Sequence, residues 1–297
     1  MMASKEVEGV NTNGPNWLEL PRDVTTNILL RLGVVEIVMS ASQVCSLWWN
    51  ICKDPLMWHI IDMTNLLPLT AGRRTSPFDM THHPDYSTYK LEKICRWAIK
   101  RSGGHLEDIG IESYVATDNL LKDIVSSTSH LRRLRLSYCW SISEKALIEV
   151  VKRLPLLEEL DISFTIQPKY FLEAIGRCCP LLKSLKMNTS LVVIPRYVHV
   201  NCSDDKAFVI AETMPELRHL QIMGNSLSND GLLAILDGCP LLEYLDLRGC
   251  PFVDLSGSLE KRCHEQIKYL RLPTDIEDTI SDDYPLTDTR SSLVTLF

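Results

Sequence analysis

Two adjacent pairs have the side chains best suited to chemistry. Cys178-Cys179 could supply a thiolate nucleophile, and His82-His83 could ligate a metal. A nucleophilic cysteine needs an electropositive, partly exposed setting, and a metal needs further ligands at recognisable spacing. Cys178-Cys179 instead ends an apolar helical pattern just before Pro180, and no third ligand is spaced from the two histidines. The phosphate-cradling GxGxxG and GxxxxGK[ST] loops, the zinc-binding HExxH and the GxSxG nucleophile turn are all missing from the sequence. No catalytic residue, metal or cofactor is therefore expected.

The ten cysteines form no CxxC pair, and the start MMASKEVEGVNTNGPN has no apolar secretory centre. They read as small buried hydrophobes in a reducing compartment, and the glycosylation sequons at Asn188 and Asn201 are discarded on the same ground. No apolar run approaches the ~18 residues of a membrane span. The expected setting is intracellular and soluble, in nucleus or cytoplasm. The formal charge of −7 is concentrated in residues 274–290, TDIEDTISDDYPLTDTR, where six acidic side chains meet one arginine. The remainder is near neutral, which argues against nucleic acid and against an anionic membrane as partners. This tail reads either as a solvated segment or as an acidic lure for a basic partner.

What must position any functional residue is a repeat. LPLLEELDIS at 154–163 returns as CPLLKSLKMN and CPLLEYLDLR, and the frame LxxLxL begins at Leu106, Leu131, Leu157, Leu182, Leu217, Leu242 and Ile267. Offsets of 25, 26, 25, 35, 25 and 25 residues fall, except for one, within the 20–29-residue period of leucine-rich repeats. Positions one, four and six should pack inward, while three, five and seven face out from a short strand. Between strands, SEKALIEVVKRL, PKYFLEAIGRC and NDGLLAILDGC have helical spacing, with Ser143 and Asn229 as N-caps and Pro155, Pro180 and Pro240 as stops. One strand-helix unit cannot bury its own apolar face, so the units stack into a curved solenoid with the strands inside.

Position nine reads Tyr114, Cys139, Thr165, Ser190, Asn225, Cys250 and Asp275. Five of these can bond the turning backbone, and the series resembles the cysteine-containing class of leucine-rich repeats. The long step holds ten additional residues inside 192–205, either an irregular turn packed on its own repeat or a partner-contacting loop.

The outward position five reads Gly110, Arg135, Asp161, Lys186, Gln221, Asp246 and Arg271. Arg135, Asp161 and Lys186 would form a ladder of alternating sign, which either satisfies itself or recognises a ligand. His219, Met223, Tyr244, Arg248 and Tyr269 flank that row and belong to types enriched at protein interfaces. A concave face of this mixture favours a protein segment.

Residues 17–62 read differently. Pro21 opens a helix with Val24, Ile28 and Leu32 on one face and Gly33 at its end. A second helix runs from about Ser40 to Lys53 with Ala41, Val44, Cys45, Trp48 and Cys52 on a stripe. Leu29, Leu30 and Trp49 fall off these stripes, more apolar surface than a core of about 50 residues covers. Trp17, Trp48, Trp49 and Trp58 all fall here. Leu20-Pro21, Val24, Ile28-Leu29, Arg31-Leu32, Val44-Cys45, Trp48, Asp54-Pro55 and Trp58 together resemble the F-box, with Met57 where leucine is usual and Trp49 where a basic residue is common. Followed by cysteine-containing repeats, the chain is similar to F-box/LRR proteins, and LGVVEIVMSASQVC is similar to plant members.

The resemblance implies an α/β architecture: a small three-helix F-box at 16–62, after a disordered 1–15, then a linker at 63–87 and a leucine-rich-repeat solenoid at 88–273. The solenoid would start with a capping helix, and an acidic tail would occupy 274–297. It also implies a non-catalytic substrate-recognition subunit of an SCF (Skp-cullin-F-box) ubiquitin ligase. Leu20, Pro21, Ile28, Leu29, Leu32, Val44, Cys45, Trp48 and Trp49 would serve a Skp-family adaptor or support the face that does, and through it a cullin and a RING protein. The repeats would hold an unknown protein substrate. The competing reading is a leucine-rich-repeat interaction scaffold that assembles no ligase.

Overall fold

A computed structural model describes residues 19–64, 86–112, 115–165, 168–189 and 202–275. The segments 1–15, Trp17, His82-His83, most of the linker expected at 63–87, Tyr114, Ser190, the insertion as far as residue 201 and the tail from residue 276 lie outside the described residues.

Each LxxLxL copy forms one short strand because its fourth and sixth residues face a shared apolar layer while the alternate residues face away. The strands are β1 (Ile60–Met63), β2 (Asp108–Glu112), β3 (Arg133–Ser137), β4 (Glu159–Asp161), β5 (Ser184–Lys186), β6 (His219–Gln221), β7 (Tyr244–Asp246) and β8 (Tyr269–Arg271). They form one parallel sheet in strict chain order, β1 to β8. Leu134, Leu160, Leu185, Leu220 and Leu245 lie in register across it, none more than 1% exposed. Each such leucine contributes roughly 1.5–3 kcal/mol by leaving water, so this column is the main support of the fold.

Helices cover the opposite layer: α4 (Tyr86–Arg101), α5 (Asp118–Ser127), α6 (Glu144–Val151), α7 (Lys169–Cys178), α8 (Asp205–Thr213), α9 (Asn229–Gly238) and α10 (Gly257–Gln266). Neighbours pack on neighbours along the series. At Gly238 a Cβ would collide with the Ala211 backbone, so a larger residue would force α8 and α9 apart. Ser143 caps α6 as expected, whereas the cap of α9 is Ser228, one residue before Asn229.

After several strands the chain turns through a left-handed residue at position eight. This is Gly224 or Gly249 in two repeats and Tyr138 (φ 58°) or Phe164 (φ 56°) in two others. The two aromatic rings stack at 4.6 Å, contact worth about 0.5–1.5 kcal/mol that offsets part of the strain. Position nine then ties each turn to the preceding repeat. Cys139 Sγ reaches the Ile111 carbonyl, Thr165 Oγ1 that of Cys139, Asn225 Nδ2 that of Met187 and Cys250 Sγ that of Ile222. Asp275 instead accepts from the Leu272 amide at 2.8 Å. Burial pushes the thiols of Cys95, Cys179, Cys239 and Cys250 up to about 12. Cys179 is 2% exposed, so Cys178-Cys179 offers no accessible thiolate pair.

The N-terminal module has the three helices that the F-box resemblance implies, where periodicity alone marked two. It consists of α1 (Arg22–Leu29), α2 (Val34–Met39), a 3-10 turn at Ala41–Gln43, α3 (Ser46–Cys52) and a second 3-10 turn at Pro55–Trp58. The expected second helix breaks because the Cys45 backbone is extended and its sulfur accepts the Trp48 amide as an N-cap. The last residues of the module continue directly into β1, which pairs with β2 from Ile60↔Asp108 to Met63↔Ile111.

Candidate functional site: two protein-interaction surfaces

The first surface is built by α1 to α3. In α1 the buried residues are Thr25 and Leu29, four apart, while Val24 is exposed and Ile28 half-buried. Of the stripe Val24, Ile28 and Leu32, Val24 is exposed and the other two half-buried, while Leu29 beside it is fully buried and supports the face from beneath. Pro21 and Val44 are exposed; Leu20, Ile28, Leu32, Cys45 and Trp48 are half-buried. Val44 is 61% exposed because it closes the short 3-10 turn with nothing packed outside it.

Sequence reasoning grouped Val24 with Ile28 and Leu32 on one face without naming it an adaptor contact, and did not select Met39 or Leu56, which are 50% and 63% exposed. Leu56 had a legible signal: it follows Pro55 in a tight turn whose first amide is capped by Asp54, which leaves no element to cover it. Leu30, already off the helical stripe, is exposed as well.

The Trp49 ring is approached by Lys53 (4.9 Å) and by Arg101 of α4 (5.5 Å), and the Arg101 guanidinium also lies 4.7 Å from the Trp97 ring. Trp97 meets the buried Trp58 edge to face at 5.1 Å. Trp49 thus also contacts the solenoid's first helix through cation–π attraction, while 38% of it stays exposed.

The second surface is the open face of the sheet. Its rows follow strand register: Arg133, Glu159, Ser184, His219, Tyr244 and Tyr269 at position three, and Arg135, Asp161, Lys186, Gln221, Asp246 and Arg271 at position five. His219 and Tyr244 stack at 4.2 Å, Gln221 Nε2 donates to the Tyr244 hydroxyl at 3.5 Å, and Tyr269 is 56% exposed one strand on. Burial, then the Lys186 ammonium, pushes the His219 imidazole below its usual value and keeps the stack neutral.

Three expectations on this face are corrected. The ladder Arg135, Asp161, Lys186 does not form. Arg135 turns back across Gly110, where a Cβ would stand only 3.1 Å from its Nε, and pairs with Asp108 (3.2 Å) and Asp62 (3.5 Å). Arg133 also holds Asp108, at 2.8 Å. Arg135 Nε, buried, has no acceptor among the described residues. Alternation of sign appears at position two instead, where Glu158 pairs with Arg132 and with Lys183, and Arg218 with Glu243.

Met223 is 2% exposed, because position seven turns inward with the chain. Ser163 and Asn188 follow it inward. Asp246 is 1% exposed, its two oxygens held by the Arg248 guanidinium at 3.0 and 2.8 Å, so it presents no free carboxylate.

A crevice of about 50 Å³ beside α8, lined by residues that include Met187, Lys206, Ile222 and Asn225, is far smaller than the roughly 300 Å³ at which ligand pockets begin. No group of three or more metal-ligating side chains occurs among the described residues. No single described helix is long and apolar enough to cross a membrane.

Comparison with known proteins follows the same division. Residues 17–64 match the F-box-like family, and residues 214–236 match the Leucine Rich repeat family. The chain is 46% identical over 260 residues to the F-box protein SKIP19 of Arabidopsis thaliana, covering 88% of this chain and 78% of that protein. It is 45% identical over 264 residues to F-box/LRR-repeat protein 23 of the same plant, with 89% of this chain aligned and only 54% of the length of that relative. Among solved structures, a chain of the yeast Rad7 and Elc1 complex aligns with 59% of this chain and 44% of its own, at 18% identity and a TM-score of 0.45.

Proposed function

The chain belongs to the plant F-box/LRR-repeat proteins, and on that premise we propose that it is the substrate-recognition subunit of an SCF-type ubiquitin ligase. In this reading the N-terminal module docks a Skp-family adaptor, and through it a cullin and a RING protein, while the open face of the solenoid holds a protein substrate. The chain performs no chemistry of its own. It raises the local concentration of substrate lysines at a conjugating enzyme, in nucleus or cytoplasm.

The observation that supports docking is the concentration of uncovered apolar side chains. Of the fifteen exposed large hydrophobics among the described residues, seven fall between Val24 and Ile60. Large apolar surface left outside a well-formed core marks a protein contact. The contact residues in this reading are Val24, Leu30, Met39, Val44 and Leu56, with Pro21, Ile28 and Trp48 beside them and Leu29 beneath.

Binding of a purified plant Skp-type adaptor to the full chain tests this. Wild type should bind, and Leu30→Glu with Val44→Glu should weaken binding at least about tenfold, or more than ~1.4 kcal/mol. The melting temperature should barely move, because both side chains are exposed. A folded wild type that binds no adaptor would overturn the ligase reading and leave an interaction scaffold built on the repeats.

A further inference from the structure

Charge on the open face is sorted by half. The relevant side chains are positions two, three and five of the repeats, with the matching residues 59, 60 and 62 at β1. On β1 to β4, six carboxylates face three arginines; on β5 to β8, five cations face two carboxylates.

Local pairing does not erase this division. Arg218 and Arg248 take up the carboxylates of the second half, Glu243 and Asp246. Lys186 and the exposed Lys268 have no ion pair among the described residues, and on the first half neither do Glu159 and Asp161. Eight strands at about 4.8 Å spacing span roughly 34 Å. That is several times the screening length of about 8 Å at physiological salt, so the two halves present separate fields.

We propose that this face binds one extended protein segment whose charge is divided into blocks, basic where it crosses β1 to β4 and acidic where it crosses β5 to β8. At about 3.3 Å per residue, some ten residues cover the span. The row His219, Tyr244 and Tyr269 lies under the acidic block and offers ring surface between its carboxylates. The assignment rests on the reading that the open face is the substrate surface, and it names the class of segment that surface takes.

The test uses the full chain and three fluorescein-labelled decapeptides of identical composition: five lysines then five glutamates, the reverse order, and strict alternation. Fluorescence polarisation at low salt should show at least one block peptide binding about tenfold or more tighter than the alternating one, an advantage that disappears by 0.5 M salt. Lys186→Glu with Lys268→Glu, and separately Glu159→Lys with Asp161→Lys, should each weaken the block peptide at least about threefold. All four positions lie at the surface, and the salt titration on wild type does not depend on any variant folding.

Equal binding of block and alternating peptides, abolished by Tyr244→Ala, would overturn the charge division and leave the open face as the substrate surface. Tight block binding that survives both charge swaps and Tyr244→Ala would place the segment elsewhere and overturn both readings. Binding of none of the three overturns the division, while the adaptor experiment reports independently on ligase assembly.

Discussion

Glu158 shows how much one side chain on this face does for the fold. Its carboxylate accepts from Lys183 at 2.9 Å and also pairs with Arg132, joining three consecutive repeats. The bond from Lys183, then that from Arg132, holds the carboxyl below the usual glutamate range. A lowered pKa in the folded state means that the unfolded chain binds the proton more readily. The stabilisation is therefore present above the ordinary glutamate pKa of about 4.3 and is lost as pH falls through the folded value. Glu158→Gln should lower stability by about 1 kcal/mol or less near neutrality, because the basic partners are half exposed. Urea titrations at stepped pH should show that difference closing below about pH 4; a difference independent of pH would refute the assignment.

Between neighbouring helices the recurring device is a latched N-terminus. The Ser143 amide and hydroxyl both donate to Asp118 at the start of α5, at 2.8 and 2.7 Å, while Ser143 Oγ accepts the Ala146 amide of its own helix. Ser228 and Asp204 repeat the arrangement between α9 and α8, with both bonds at 2.7 Å. One serine thus caps its own helix and fixes the preceding one. Ser143→Ala should cost about 1–2 kcal/mol, at the upper end for a lost cap because the link to Asp118 is lost with it. Asp118→Ala combined with it should cost clearly less than the two singles summed, since both remove the same latch. Additive losses in the denaturation midpoints would mean that the two residues act independently.

Across the whole molecule, the N-terminal module and the solenoid share one core. Ile61 and Met63 of β1 are fully buried in the common sheet, Trp58 is fully buried against Trp97, and Arg101 bridges Trp49 and Trp97. An adaptor bound to the module would thus be held at a fixed angle to the open face. Trp58→Ala should cost about 3–5 kcal/mol, as for other fully buried tryptophans. Pulsed alkylation with increasing denaturant should then expose Cys52 of the module and Cys95 of α4 at one common, lowered midpoint. Both thiols are raised by burial and so stay protected until their surroundings open. Two separated midpoints would show that the module unfolds on its own.

What the sequence determined by itself was everything that repeats or punctuates. The leucine frame defines strands β2 to β8, because a period of about 25 residues leaves no other way to bury the same face each time. Ser143, Cys139, Thr165, Asn225 and Cys250 fulfil their expected capping and turn roles because those depend on backbone groups near in sequence or one repeat away. Tertiary structure alone decided which side of each element meets a neighbour. Val24 and Leu29 are both apolar residues of α1, and only the packing of the module makes one surface and the other core. Trp49 also meets Arg101, 52 positions later in the chain, a contact that only the fold creates. Arg135 leaves Asp161 for Asp108 and Asp62 because Gly110 opens the space, Met223 goes inside because the turn after the strand carries it there, and Asp246 of β7 is covered by the Arg248 guanidinium. Periodicity fixes the face a residue can use; long-range contacts choose what stands opposite it.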